Sequence, residues 1–403
     1  MEFNMNITVK NCSSCGACAN VCGRNAISMQ LDVEGFYRPV IDLEKCVECG
    51  ACERICPWNN EVLNPNKSSN NPQTLAAFAK DESIRLQSSS GGIFSILAER
   101  ILENGGVVIG VAQITPTHFG HIVVENKEDL KKLRGSKYVQ ADANFIYKEV
   151  RSLLKSGRKI LFSGTPCQVA ALYAVLGNAA TSVNLFTVDI VCHGTPSVKV
   201  FEKYIKELEK EESAIVETSR FRDKRKGWNG YMLQHCFKSG KSVSEHHNQS
   251  KYMRLFLSRI CQNLSCDDCH YRKLPRIADI TLGDYWGVSK YHPEMDDDKG
   301  TSVILLNTEH GVDLFNSISD KINQCESKVE YAIAGNPCIV RSSKQHPKRS
   351  EFFANLDKYT LDQLIKIYCP FPSPLKRAYT RARALLGRIW RKSRGLYCNE
   401  LNR

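Results

Sequence analysis

The chain has 403 residues, 42% hydrophobic and 24% charged, ordinary values for a folded protein that exclude wholesale disorder and leave room for two or three domains. Its formal net charge is +12 at pH 7, and 18 of its residues are cysteine. No apolar run approaches the roughly 18 residues of a spanning helix, and the N-terminus MEFNMNITVKNCSSC lacks the apolar stretch of a secretory signal, so a cytoplasmic location is expected. Without a signal, so many cysteines argue for metal ligation in a reducing compartment rather than a disulfide framework.

Cys12, Cys15, Cys18 and Cys22 follow the spacing C-x2-C-x2-C-x3-C, and Cys46, Cys49, Cys52 and Cys56 repeat it. The segments SCGACANVC (14–22) and ECGACERIC (48–56) align, which marks two copies of one small unit. Three closely spaced thiolates wrap one face of a 4Fe-4S cubane, and the intervening glycine and alanine let backbone N–H groups approach the sulfurs. Zinc ligands come as two separated pairs rather than runs of four, which disfavours zinc.

The module resembles the bacterial two-cluster ferredoxins, in which the last cysteine of each run ligates the other cluster. By that resemblance Cys12, Cys15, Cys18 and Cys56 hold one cluster, and Cys46, Cys49, Cys52 and Cys22 the second. Pro57 follows Cys56 as that pattern expects, whereas Gly23 replaces the proline after Cys22. Residues 1–60 therefore read as an α+β ferredoxin-like module with two 4Fe-4S clusters. It has little core of its own, so the clusters are expected to hold it together.

Residues 61–74, rich in Asn, Ser and Pro without apolar periodicity, read as a linker. From Leu75 the strand-like runs LAAFAK, VVIGVA, KILFSG and VNLFTVDIV alternate with amphipathic stretches at about 94–103, 143–155, 168–176 and 198–210, an α/β pattern. Beyond about residue 214 the pattern loosens, with strand-like pieces at 231–237, 278–282 and 301–306, and predicts an α+β extension of a domain over 75–345. Cys167 in SGTPCQ and Cys192 in VCHGTPS each follow a predicted strand, and Cys266 and Cys269 form a C-x2-C pair. These four read either as ligands of a third 4Fe-4S cluster gathered at the strand ends or as small core residues. Cys236, Cys261, Cys325, Cys338, Cys369 and Cys398 read as ordinary cysteines.

The strings SSSGGIFSILAERILENGGVVIGVA, LRGSKYVQAD, LFSGTPCQVAAL, IVCHGTPS and ADITLGDYWG resemble the coenzyme F420 hydrogenase/dehydrogenase beta subunit family. The resemblance implies a larger α/β flavin and iron-sulfur domain that binds FAD, with Cys167, Cys192, Cys266 and Cys269 holding a third 4Fe-4S cluster near the flavin. It also suggests where FAD binds. Ser90, Gly91 and Gly92 open a predicted helix whose N–H groups suit a phosphate, and Gly135, Ser136, Lys137 and Tyr138 add a cation, hydroxyls and an aromatic ring. His193 reads as structural, as a donor to a cluster sulfur or as a proton donor to the substrate, and Asp284 as a turn former or, less favoured, as a residue facing the active site; no catalytic residue is assigned.

The implied function is an iron-sulfur flavoprotein oxidoreductase passing electrons between ferredoxin-type clusters and FAD to reduce or oxidise an organic small molecule, coenzyme F420 or a polysaccharide-related metabolite. The alternative is a non-catalytic electron-relay subunit of a larger redox complex. Expected partners are ferredoxin or another oxidoreductase subunit. Residues 346–403 read as a C-terminal basic helical extension. Within it, 374–394 lacks acidic residues and places Leu375, Tyr379, Ala382, Leu386 and Ile389 on one helical face, suited to packing on the domain or to peripheral contact with an anionic membrane. No nucleic-acid-binding motif accompanies the charge, so no nucleic acid partner is expected.

Overall fold

A computed structural model describes residues 12–342 and 344–373, together with 375, 379 and 382. Both cysteine runs enter short helices, Ala17–Val21 and Ala51–Arg54, capped by left-handed Gly16 (φ 77°) and Gly50 (φ 67°). Ser14 and Glu48, two residues earlier in each copy, are also left-handed, so the duplication is repeated in the backbone. Between the copies, β1 (Ile27–Leu31) and β2 (Tyr37–Ile41) form an antiparallel hairpin. The buried core of this module is Cys18, Ala19 and Ile27, with Cys22, Cys52, Met29 and Ile41 packed against it.

The remaining strands are β3 (Gln73–Ala79), β4 (Val107–Gln113), β5 (Phe119–Val124), β6 (Ile160–Gly164), β7 (Leu185–Ile190), β8 (Val216–Asp223), β9 (Met232–Phe237), β10 (Ser242–His246), β11 (Ile280–Asp284), β12 (Ser302–Leu306) and β13 (Ile322–Ser327). Eight of them form a mixed sheet in the order β13-β3-β12-β11-β7-β6-β4-β5. Its centre, β11-β7-β6-β4, is parallel, and the flanking pairs are antiparallel. β8, β9 and β10 make a separate antiparallel sheet.

Both faces of the large sheet are covered, which is why its central strands are nearly continuous apolar runs. Side chains alternate between the faces. Val107, Ile109, Ile160 and Phe162 pack with the helices Ile146–Lys155 and Pro166–Leu176. Val108 and Leu161 point the other way, towards the helices Ile93–Glu103 and Glu309–Asn316. The strands expected at 75–80, 107–112, 159–164 and 183–191 correspond to β3, β4, β6 and β7. The half-polar β5, β8, β10 and β13 had no comparable sequence signal.

Two stretches pack on the large domain, which their reading as a linker and as a helical extension did not specify. Residues 61–74 lie along the large domain: Asn64 is buried, the Asn66 amide donates to Asp279 Oδ1 (3.0 Å) and Ser69 N–H to the Asn307 carbonyl (2.7 Å). Their polar composition therefore serves fixed hydrogen bonds. Residues 349–368 form the helices Arg349–Asn355 and Leu361–Tyr368, whose Phe352, Leu356, Leu361, Leu364 and Ile365 join the core around Phe201 and Tyr252. The basic stretch at 374–394 lies outside the described residues apart from 375, 379 and 382, where Leu375 and Tyr379 are exposed. Among the described residues, no helix is long and apolar enough to cross a membrane.

The cysteine module is fastened to the rest of the chain by buried polar contacts. Arg38 donates to the Cys12 carbonyl (2.6 Å) and to Asn263 Oδ1 (3.2 Å), and Asn20 bridges the Asn144 carbonyl (2.7 Å) and the Tyr147 N–H (3.1 Å). Arg349 forms two bonds with the Glu34 carboxylate, 2.9 and 2.6 Å, and its side chain is only 3% exposed. Glu34→Gln leaves that buried guanidinium without its counter-charge. Urea unfolding is expected to show a loss of about 2–4 kcal/mol; a change within about 0.5 kcal/mol, the ordinary surface range, would remove the pair from the docking account.

Candidate iron-sulfur and flavin site

Cys12, Cys15, Cys18 and Cys56 are gathered into one electrostatic set. The Cys15 thiol is pushed up to about 12, first by burial and then by charge on the neighbouring Cys12 and Cys56. Burial also holds Cys18 well above the ordinary range, with Cys15, Cys12 and Cys56 adding to it. Cys52 is raised by burial with a smaller contribution from Cys46, and Cys52 and Cys22 pack on the same small core. Ala26 N–H lies 3.3 Å from Cys22 Sγ, a backbone donor aimed at sulfur. Cys49 is exposed.

A second gathering lies at the C-terminal ends of the parallel strands. Cys167 is the second residue of the helix Pro166–Leu176, whose start is fixed by a Thr165/Gln168 capping box directly after β6. Cys192 follows β7, and Cys266 and Cys269 lie between the helix Lys251–Ser258 and β11. Burial raises Cys167 well above the ordinary range, and charge on Cys269 and Cys192 raises it further. The Cys266 thiol is pushed up to about 12, first by burial and then by Cys192. Donors converge as well: Gly194 N–H on Cys192 Sγ (3.4 Å), Thr195 N–H on Cys266 Sγ (3.4 Å), and Thr165 Oγ1 3.1 Å from Cys167 Sγ.

Among the described residues, no three of these sulfurs lie mutually within 4.8 Å. One tetrahedral zinc ion holds its thiolates about 3.8 Å apart. The wider spacing suits a polynuclear cluster. Arg272 is buried beside Cys266 and Cys269, where its charge lowers both thiols, and its Nη1 has no partner. A buried unpaired cation is what a cluster with net negative charge would satisfy. The loop carrying the pair is tied down by Arg276, which donates to the Tyr271 carbonyl (2.8 Å) and to Asp189 Oδ2 on β7 (3.0 Å), both charged side chains being buried.

The two gatherings meet. Charge on Cys15 is felt by Cys167. Tyr147 and Tyr271 stand between them, each raised by burial first and then by both Cys15 and Cys167. Tyr147 Oη donates to the Cys15 carbonyl (2.8 Å) and Tyr271 Oη to the Pro57 carbonyl (3.0 Å).

Beside Cys167 and Cys192 opens a cavity of about 440 Å³. Ser90, Gly92, Gly135, Ser136, Lys137 and Tyr138 all line it. Gly91 does not: its N–H donates to Ser302 Oγ (3.0 Å), and a Cβ there would sit 2.4 Å from the Ala77 carbonyl oxygen. Contrary to the sequence reading, its amide is not free for a phosphate; this glycine is needed for close packing on β3. The two lining loops are joined by Ser89 Oγ, which accepts from Ser136 N–H (2.7 Å). Lys137 Nζ donates to the Leu133 and Arg134 carbonyls, and burial pulls its pKa down to about 7. Tyr138 stacks on Phe256 with ring centroids 4.8 Å apart.

Sequence reasoning missed Arg222, Tyr231 and Trp286. Arg222 comes from β8 with its guanidinium carbon 4.1 Å from the Tyr231 ring centre and 5.2 Å from that of Trp286. It pairs with Asp284 Oδ2 at 2.8 Å. Asp284 also accepts from Trp228 Nε1 (3.0 Å), so its side chain serves as a counter-charge at the cavity rather than as a turn former. Arg222 lies in the charged stretch RFRDKRKGW, which offers no periodicity to single it out. His193 is lowered by burial and then by Arg272, and its Nε2 is 3.6 Å from Cys338 Sγ. Arg222 Nε and Gln140 Nε2 are buried without partners, and both residues line the cavity. Unpaired donors of this kind fit a ligand with polar edges.

A mixed α/β sheet with cysteines gathered at its strand ends, joined to a duplicated cysteine module, defines an iron-sulfur redox protein. Residues 11–60 match the family model for a 4Fe-4S dicluster domain. Two further family models, for the N-terminal and the C-terminal parts of the beta subunit of coenzyme F420 hydrogenase/dehydrogenase, match residues 74–145 and 157–330 respectively. The chain belongs to the coenzyme F420 hydrogenase/dehydrogenase beta subunit family. Among solved structures, it is similar to a chain of the xenon-derivatised F420-reducing NiFe hydrogenase complex from Methanosarcina barkeri, with 17% identity, a TM-score of 0.46, and coverage of 76% of this chain and 94% of that one. No curated protein matches it.

Cys167→Ser is expected to lower the iron content of anaerobically purified protein by about four atoms per chain while the N-terminal clusters remain. Unchanged iron would remove Cys167 from the ligand set.

Proposed function

We propose that the chain is an iron-sulfur flavoprotein oxidoreductase that passes electrons between ferredoxin-type clusters and FAD to reduce or oxidise a small organic substrate. Cys12, Cys15, Cys18 and Cys56 would hold one 4Fe-4S cluster, Cys46, Cys49, Cys52 and Cys22 the second, and Cys167, Cys192, Cys266 and Cys269 the third. The observation that carries this reading is the cavity wall: the loops proposed for the flavin and the cysteines Cys167 and Cys192 line one space. Bound there, FAD would couple one-electron exchange with the clusters to two-electron chemistry on the substrate.

The chain's own residues divide the work. The 135–138 loop offers a hydroxyl and a cation to the nucleotide, and Tyr138 an aromatic face. Arg222, clamped between two rings and paired with Asp284, keeps a fixed positive charge at the cavity. Amide donors on the cysteine sulfurs stabilise their anionic form and thereby tune potential. The exposed Cys49 marks the end of the module accessible to a redox partner, ferredoxin or another oxidoreductase subunit. The family description supports coenzyme F420 as the first substrate to test.

Lys137 gives this reading a pH dependence. Its folded-state pKa is lowered to about 7 by burial, so above that value the amine is neutral in flavin-free protein and must take up a proton to pair with a phosphate. FAD affinity is therefore expected to weaken as pH rises from about 7 to 9, and Lys137→Met to bind more weakly with a flatter profile. Flavin-fluorescence titration checks both; equal slopes for the two proteins would exclude a contact between Lys137 and the phosphates.

The whole assignment is tested by measuring iron, labile sulfide and flavin on one anaerobic sample. About twelve irons and one FAD per chain are expected. About eight irons and no flavin, in fully loaded protein, would leave a two-cluster electron carrier.

A further inference from the structure

We propose that His292, Glu294 and Cys325 form a separate binding site for a thiophilic divalent cation of the Zn2+ type at the edge of the large sheet. One ligand atom from each residue lies within 4.8 Å of the other two. None of the three belongs to the cysteine sets assigned to iron.

The ligands come from two distant parts of the chain. His292 ends the helix Val288–Tyr291, and the following turn Pro293–Met295 presents Glu294. Cys325 lies on β13, the outermost strand, which pairs with β3 on its inner side. Their meeting is thus a tertiary feature rather than a consequence of sequence proximity.

The histidine is already oriented for ligation. Its Nε2 lies 2.9 Å from Ser327 Oγ, while its Nδ1 faces Glu294 Oε1 at 3.8 Å. Ser327 is in turn hydrogen-bonded to the buried Tyr285 hydroxyl. A metal-ligating imidazole characteristically has its second nitrogen fixed by such an outer hydrogen bond. Ser327 also stands two residues beyond Cys325 on the same strand, so both side chains project from the same face.

The donor set selects the ion. One thiolate, one imidazole and one carboxylate suit Zn2+, whereas Ca2+ and Mg2+ require oxygen ligands. The edges of a tetrahedral zinc site are about 3.3–3.8 Å, so small side-chain rotations close the triad. A fourth position remains for water. Binding replaces the thiol proton of Cys325 with the metal.

The position gives the ion a structural task. The segment leading to His292 leaves β11 directly after Asp284 and passes through Trp286, both of which line the large cavity. A metal joining 292–294 to β13 would reinforce the His292 and Tyr285 bonds to Ser327 that already hold this segment at the sheet edge, and so help to hold the Arg222 clamp in place.

Full-length protein with its iron clusters loaded is incubated with about two equivalents of ZnCl2 and desalted, and zinc and iron are measured together with zinc K-edge X-ray absorption. The expected result is about one zinc per chain, with one sulfur near 2.3 Å and two to three nitrogen or oxygen scatterers. Cys325→Ser and Glu294→Gln should each weaken zinc retention at least about tenfold with iron unchanged; these conservative changes keep the test open if His292→Ala misfolds. No retained zinc, equal retention by Cys325→Ser, or a shell of four sulfurs at unfilled cluster cysteines would overturn the proposal.

Discussion

Cys15 of the duplicated cysteine module lies close enough to Cys167 at the C-terminal edge of the large sheet for charge on Cys15 to raise the Cys167 pKa. Burying thiols without partners is tolerable, but burying thiolates without a compensating cation is not. This constraint explains why the seam between module and sheet is built from polar contacts. Arg38, Asn20, Tyr147 and Tyr271 all bind backbone carbonyls there, and two of those carbonyls belong to Cys12 and Cys15. The module's apolar core is too small to hold it alone.

The large sheet provides the rigid side of that seam. Its parallel strands β6, β7 and β11 deliver Cys167, Cys192 and Asp284 to the same end because parallel strands share a direction and therefore share their C-terminal edge. The cysteine pair at 266 and 269 is not delivered by a strand. It is brought in by the buried Arg276–Asp189 pair, in which burial raises the Asp189 pKa while Arg276 opposes the rise. This ion pair acts together with the Asn263 N–H bond to the Thr195 carbonyl (2.8 Å) and the Cys269 N–H bond to Ser342 Oγ (2.9 Å) to set where half of the third cysteine set stands relative to the other half.

The ends of the parallel strands form one side of the cavity, and the serine-glycine loop at 88–92, the 135–138 loop and Arg222 from the small sheet close it. Lys224, two residues beyond Arg222, donates to the Arg85, Ser90 and Lys299 carbonyls, which fixes the serine-glycine loop from behind. Burial lowers its pKa to about 7, and the three acceptors favour its charged form. The small sheet is thereby tied to the serine-glycine loop at the cavity, in addition to the Ser219 N–H bond to Gln113 Oε1 on β4 (3.0 Å).

The amino-acid sequence by itself determined what depends on neighbouring residues. The duplicated ligand runs, the helix read at 168–176, and the continuous apolar strands β4, β6 and β7 are local patterns, and spacing or period exposes them. Cys167, Cys192, Cys266 and Cys269 could be singled out by their neighbours, but their convergence required the fold. Only the tertiary structure decided that residues 61–74 bind Asp279 and Asn307, that Gly91 packs on β3 with its amide engaged, that Asp284 balances Arg222, and that β3 lies between β12 and β13. Each of these depends on a partner remote in the chain. The physical reason is that a hydrogen-bonding or charged side chain has the same local appearance whether water or a buried partner will satisfy it. The partner is settled when the layers close and water is removed.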